Sequence, residues 1–226
     1  MKILSIDTSS DVCSVCILDN MNLIKELNMF DSKTHSENLM PLVHELLDKT
    51  NLQLKDIECI VICNGPGSFT GIRIGISTVK AIAEVLNIPV VSVSSLDCLA
   101  YNEEFDGTIC SLIDCRNDNV YAGIYDNKYN LMSEYLAIHI NDLLPYLEKH
   151  ENIMFVGTGA VLHKNLLTSS LPNKKIYFSN KNTQSAFSLG KCGYTKYMQG
   201  TTETADSVLP MYLRQSQAER MRKKDE

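Results

Sequence analysis

The chain repeats itself, and that limits its fold more than any other feature. Residues 3–27, ILSIDTSSDVCSVCILDNMNLIKEL, resemble residues 110–136, CSLIDCRNDNVYAGIYDNKYNLMSEYL. Both read apolar run, Asp, polar turn, apolar run, Asp-Asn turn, then a third amphipathic run. Asp19-Asn20 and Asp126-Asn127 between alternating stretches predict hairpins, so each copy starts as three strands. Residues 37–46, ENLMPLVHEL, match 140–150, INDLLPYLEKH, two helical patterns with Pro41 and Pro145 at the same place. Residues 58–67, ECIVICNGPG, and 151–160, ENIMFVGTGA, each lead a strand into a glycine turn, with helices expected from about Phe69 and about Ala160. The unit is βββαβα, used twice in the same order.

Two such units face to face describe a duplicated actin-like α/β architecture (ASKHA, ribonuclease H-like), in which nucleotide binds between the halves. The polar stretch YNEEFDG, Tyr101–Gly107, marks the joint. The expected division is an N-terminal subdomain 1–103, a C-terminal subdomain 104–204, and a segment 205–226. Within the last, LPMYLRQSQAER reads as a helix packing back on the first half.

With 226 residues and 44% apolar content the chain has ample material for a core. No apolar run reaches the ~20 residues that span a bilayer. The N-terminus turns polar at Asp7, too early for a signal peptide, so a cytoplasmic location is expected. Net charge is −6, and only Arg214, Arg220, Arg222, Lys223 and Lys224 form a basic cluster, which reads as a solvated helix end. Contact with nucleic acid therefore calls for a partner. Cys13 and Cys16 have CxxC spacing, but residues three apart on a strand face opposite ways, so the eight cysteines read as small buried hydrophobes.

The turn NGPGSFTGIRIG, Asn64–Gly75, opens a helix with Ser68 as a fair N-cap. Such a turn can bind an anion through free N–H groups and the helix dipole. It lacks the Gly-Lys-Ser/Thr of a Walker loop, and Thr70 stands where a GxGxxG fingerprint needs its third glycine. A tight structural turn remains the equal alternative. In the helix after the turn, Arg73, Ser77, Lys80, Glu84 and Asn87 form one polar stripe. The apolar arc covers about 220°, against ~100° for an ordinary surface helix. Either the helix is sandwiched inside the domain or part of it meets another protein.

ILSIDTSS at Ile3, THSENLMP at Thr34, the Asn64–Gly75 turn, SLDCLA at Ser95, LIDCRNDNVYAG at Leu112 and PMYLR at Pro210 together resemble the TsaB (YeaZ) family of bacterial tRNA threonylcarbamoyladenosine biosynthesis. The resemblance implies a non-catalytic partner of a TsaD-type transferase, needed for threonylcarbamoyl transfer to adenosine 37 (t6A) of tRNAs that read codons beginning with A. It implies a heterodimer with that catalytic paralogue, a small TsaE-type ATPase as a further partner, and tRNA contact only through the complex. Homodimerisation in isolation is also expected, with no membrane role. In the family the dimer contact uses the first two helices, here 34–49 and 69–86. The side chains assigned to it are Leu39, Val43, Ile72, Arg73, Ile76, Val79 and Lys80.

No catalytic residue, cofactor or metal is assigned to this chain alone, and ATP with magnesium is left to the complex. His35 and His44 are nine residues apart, half a turn out of phase on a helix, and so fail as a metal pair. Asp7 and Asp114 stand where actin-like ATPases keep their carboxylates, but CRND comes after Asp114 in place of a small glycine turn. Gly157 and Gly159 resemble the adenosine-side turn. These four are the weak nucleotide candidates. The competing function is an actin-like ATPase or kinase acting by itself.

Overall fold

A computed structural model describes residues 1–30 and 34–214. The first half runs β1 (Lys2–Asp7), β2 (Cys13–Asp19), β3 (Asn22–Met29), α1 (His35–Thr50), β4 (Cys59–Gly65), α2 (Phe69–Leu86), β5 (Val90–Ser94) and α3 (Ser95–Ala100). The second runs β6 (Thr108–Asp114), β7 (Asn119–Tyr125), β8 (Leu136–His139), α4 (Ile140–Leu147), β9 (Asn152–Val156), α5 (Thr158–Leu162), α6 (Lys164–Ser170), β10 (Lys175–Phe178) and α7 (Ala186–Met198).

Each half builds one five-stranded sheet, ordered β3-β2-β1-β4-β5 and β8-β7-β6-β9-β10. In each, the first three strands form an antiparallel meander and the last two add in parallel to the first. The two orders superimpose, so the repeat in sequence is a repeat in topology. Pro41 and Pro145 both lie inside their helices, α1 and α4.

Three expectations need correction. Each unit carries one strand more than βββαβα, with one further helix in the first half and two in the second, where α5 and α6 divide one expected helix. The addition in the second half begins with the edge strand Lys-Ile-Tyr-Phe, too short and too mixed in exposure to register as a pattern. The second Asp-Asn turn is no tight hairpin: Asp126 accepts from the Lys128 and Asn130 amides at 2.8 Å, and the strand resumes only at Leu136. The helix expected from Ala160 starts at Thr158, ends at Leu162 and resumes as α6.

The core explains the apolar runs. β1 and β4 are covered on both faces and therefore read as unbroken hydrophobic stretches. One face packs Leu4, Ile6, Ile60 and Ile62 against Leu39, Val43, Leu46, Ile72, Ile76 and Val79 of α1 and α2. Full burial of each such side chain stabilises by about 1.5–3 kcal/mol. The other face packs Ile3, Leu18, Cys59 and Val61 against Ala186, Leu189 and Cys192 of α7. A β-carbon on Gly190 would collide with Leu18, and one on Gly193 with Val61, so these glycines bring α7 onto the sheet. Thus α7, placed by sequence in a 104–204 subdomain, completes the core of the first half. Helix α3 sits at the joint, where Leu96, Leu99 and Ala100 join Ile109, Tyr125 and Val156 of the second half.

After α7 the chain returns along the first half. Glu203 pairs with Val90, a short 3-10 turn spans Ala205–Ser207, and Val208 is buried in the α1–α2 core. Leu209–Arg214 is not helical, contrary to expectation; its amides serve tertiary contacts, as Met211 N–H donating to Asn64 O at 2.7 Å shows. The rest of the expected helix, with Arg220, Arg222, Lys223 and Lys224, lies outside the described residues. Cys13, Cys16, Cys59, Cys63, Cys98, Cys110 and Cys192 are buried. Burial pushes the Cys59 thiol up to about 12, far from a reactive thiolate. No helix among the described residues is long and apolar enough to cross a membrane.

Candidate functional site

The strand ends carrying Asp7 and Asp114 occupy equivalent places in the two sheets, at the ends of β1 and β6. The residues just beyond each strand decide whether a phosphate can be held there.

At the first site the glycine turn packs directly on the residues that follow β1. β4 ends at Gly65, φ 109°, the Gly65-Pro66 peptide is cis, and Ser68 caps α2 by accepting from Gly71 N–H at 3.2 Å. Ser68 N–H donates to Ser9 O at 2.8 Å, and Thr8 Oγ1 donates to Gly71 O at 2.7 Å. β-Carbons on Gly67 and Gly71 would collide with the Ser9 and Thr8 carbonyl oxygens, and one on Gly75 with the Thr8 hydroxyl. The three glycines therefore let the first turns of α2 lie directly on Thr8–Ser10. Two of the turn's N–H groups are committed internally, that of Ser68 to Ser9 O and that of Gly71 to Ser68 Oγ.

Asp7 is buried beneath this turn, 1% exposed. Its Oδ1 accepts from Ser9 N–H at 2.7 Å, while Oδ2 has no hydrogen-bond partner. Burial raises its pKa, against the opposing effect of the Ser9 and Cys63 hydrogen bonds and nearby His35. A carboxyl in this setting is held towards its neutral form.

Asp114 is half-buried. It accepts from Arg116 N–H at 3.0 Å, and its own N–H donates to Thr158 Oγ1 at 3.1 Å. The CRND turn takes three successive left-handed residues, Arg116, Asn117 and Asp118 at φ 68°, 53° and 54°, none of them glycine. Gly157 has φ 107°, and a β-carbon there would collide with Leu112 O; Gly159 would meet Leu112 Cβ at 3.0 Å. The Gly157 N–H is used by Asn182 Oδ1 at 2.9 Å. Both glycines thus serve the packing of α5 on β6. Of the four nucleotide candidates, Asp7 and Asp114 stand at matched strand ends, and Gly157 and Gly159 lie where α5 meets β6.

His35 Nε2 lies 2.8 Å from Ser10 O, whereas His44 is exposed and lies 3.1 Å from Asp48. The two histidines share no site.

The side chains assigned to the interface divide between the core and the surface. Leu39, Val43, Ile72, Ile76 and Val79 are buried in the chain's own core. Arg73 and Lys80 do point away from it, but both engage the C-terminal return: Arg73 Nε donates to Tyr212 Oη at 2.8 Å, and Lys80 Nζ to Asp206 O at 3.0 Å. Helix α2 is sandwiched, as one of the two sequence readings required. The sheet covers one face, and the return segment covers another that the arc alone left unassigned. A different stripe stays open. Met40, Leu54, Thr78, Ala81, Ile82, Val85 and Leu86 line an apolar furrow of about 410 Å³, with Val85 85% exposed and Met40 44%. It continues through Met40 and Thr78 into a second hollow of about 430 Å³, lined also by Ser36, Arg73, Ile74 and Ser77.

Sequence reasoning missed two constellations. Tyr212 stacks on Phe69 with ring centroids 4.5 Å apart, and Asp97 gathers Tyr125, Tyr135 and Lys196. PMYLR and SLDCLA carried the signals, but nothing in a linear chain shows what those residues meet.

The family model described as TsaD, tRNA N6-adenosine threonylcarbamoyltransferase, matches residues 30–221. The tRNA threonylcarbamoyladenosine biosynthesis protein TsaB of Bacillus subtilis (strain 168) is 37% identical over 179 residues, 77% of this chain and 78% of that protein. A crystal structure of a Pseudomonas aeruginosa protein with similarity to peptidase YeaZ is 28% identical, with a TM-score of 0.82 over 94% of this chain and 99% of that one. At the level of fold alone, the activator of the 2-hydroxyisocaproyl-CoA dehydratase from Clostridium difficile, with bound ADPNP, gives a TM-score of 0.52 at 13% identity, covering 94% of this chain and 100% of that one. The fold is therefore actin-like, and this chain belongs to the TsaB (YeaZ) family, inside the wider group that the TsaD model describes.

Proposed function

We propose that this chain takes part in threonylcarbamoyladenosine biosynthesis as the non-catalytic partner of a TsaD-type transferase. Its role is to support threonylcarbamoyl transfer to adenosine 37 of tRNA in the cytoplasm. The observation that carries this reading is the apolar furrow between α1 and α2, where Val85 and Met40 stand exposed on a sandwiched helix pair. These are the two helices that the family resemblance assigns to the dimer contact, with the contact now resting on Met40, Ile74, Thr78, Ala81 and Val85. Seating of α2 on Thr8–Ser10 agrees with a chain that does no phosphate chemistry of its own. ATP with magnesium, a TsaE-type ATPase and tRNA then enter through the complex, and the furrow also suits a homodimer when the transferase is absent.

Val85→Asp and Met40→Asp test this. Each should retain the circular dichroism of the unaltered chain, fail to co-purify with the transferase, and fail to restore t6A formation in vitro. Unaltered association in both variants sinks the furrow assignment.

The matched places of Asp7 and Asp114 favour a second reading, an actin-like ATPase or kinase acting by itself. Calorimetry of the isolated chain with ATP and magnesium separates the two. Tight binding abolished by Asp7→Ala supports the second.

A further inference from the structure

The C-terminal return ends on both halves of the molecule. Leu209 O accepts from Asn64 Nδ2 at 3.3 Å, Met211 N–H donates to Asn64 O at 2.7 Å, and a β-carbon on Gly65 would lie 2.8 Å from Met211 O. Tyr212 stacks on Phe69 and accepts from Arg73 at the start of α2. Leu213 then packs into the cluster at the joint. Arg214 reaches the second half, donating from one guanidinium nitrogen to Asn119 Oδ1 at 2.7 Å and from another to Cys115 Sγ at 3.5 Å. Asn119 in turn donates to Asn117 O at 2.7 Å, inside the left-handed turn after Asp114.

We propose that Leu209–Arg214 is a clasp, latching the β6–β7 turn of the second half to the glycine turn and α2 of the first. It spans from the end of β4 to the start of β7, and Leu213 between the two contacts packs into the α3 cluster at the joint. Two physical features make it a latch. Its first-half contacts lie on the turn that positions α2, so the docked clasp and the seated helix hold each other. Its second-half contact rests on three successive left-handed residues without glycine, a conformation that persists only where surrounding bonds hold it. Because so few residues separate the two contacts, loss of either end frees the whole segment. This proposal stands independently of any partner.

Hydrogen exchange on the full chain tests it, with Tyr212→Ala and Arg214→Ala made singly and together and circular dichroism confirming the fold. A clasp predicts that each single variant raises exchange at both turns, Asn64–Arg73 and Cys115–Asn119, by roughly tenfold, and that the double variant adds nothing further. Tyr212→Phe keeps the ring stack but removes the hydroxyl that accepts from Arg73. It should give a smaller rise at both turns, and it serves if Tyr212→Ala fails to fold. Variants that loosen only their own end, with additive effects, would show two unrelated surface contacts and overturn the proposal. No change at either turn overturns it as well.

Discussion

Lys196 Nζ donates to Asp97 Oδ2 at 2.8 Å, tying α7 to α3 at the joint between the halves. The other carboxylate oxygen accepts from Tyr125 at 2.8 Å and from Tyr135 at 2.7 Å. One buried carboxylate thus gathers α3, α7, β7 and the residue leading into β8. Asp97→Ala strands the Tyr125 hydroxyl, 1% exposed, together with a half-buried ammonium. It should lower unfolding stability by about 3–5 kcal/mol. Lys196→Met leaves both tyrosine donors in place and removes a side chain that is 30% exposed, so the loss should be about 1–2 kcal/mol. Urea denaturation of the two variants checks the ordering; equal losses would mean that the tyrosine hydroxyls contribute nothing.

Asp7 predicts a pH dependence of known sign. Burial raises its pKa in the folded state, so the stability linked to the neutral acid is complete below the ordinary carboxylate range. It is lost as pH rises through the raised folded value. Asp7→Asn removes that titration and keeps an oxygen for Ser9 N–H. The variant should melt above the unaltered chain at pH 8, with the difference shrinking towards pH 4. Thermal melts across that range decide it, and a variant less stable at pH 8 would count against a buried neutral acid.

Gly71→Ala drives a methyl group into Thr8 O, and Gly67→Ala drives one into Ser9 O. Backbone atoms have nowhere to go, so each should lose at least about 3 kcal/mol. Gly200→Ala meets nothing within 4 Å but carries φ 81°, and should lose only about 1 kcal/mol. Chemical denaturation in the absence of any nucleotide measures all three. A mild effect at Gly67 and Gly71 would reopen the turn as an anion cradle.

Ile76 and Val85 lie on one helix with opposite roles. Ile76 is 5% exposed and packs in the core; Ile76→Ala should cost about 2–5 kcal/mol. Val85→Ala should leave stability of the isolated chain within about 0.5 kcal/mol. Melting curves of the two, recorded without a partner, test the revised helix phase.

The repeat, its strand and helix order up to the glycine turns, the matched prolines and the places of Asp7 and Asp114 were legible in the chain, because periodicity and turn chemistry are local. The Ser68 cap was legible for the same reason. The fifth strand of each sheet was not, since β5 and β10 are short and take their identity from the parallel neighbour they join. That Leu39, Val43, Ile72, Ile76 and Val79 lie in the chain's own core was hidden on a similar ground. A helical wheel reports how wide an apolar arc is, and says nothing of which part faces the sheet and which faces a returning segment more than a hundred residues away.

Sequence by itself determined a duplicated α/β chain of actin-like order, its family, and a glycine turn lacking the residues of a phosphate loop. Tertiary structure alone decided that α2 lies on Thr8–Ser10, that α7 crosses to complete the first core, and that Tyr212 and Arg214 join the two halves. Those outcomes depend on contacts between residues far apart in the chain. Close packing settles them, because each buried face admits one occupant and local pattern does not name it.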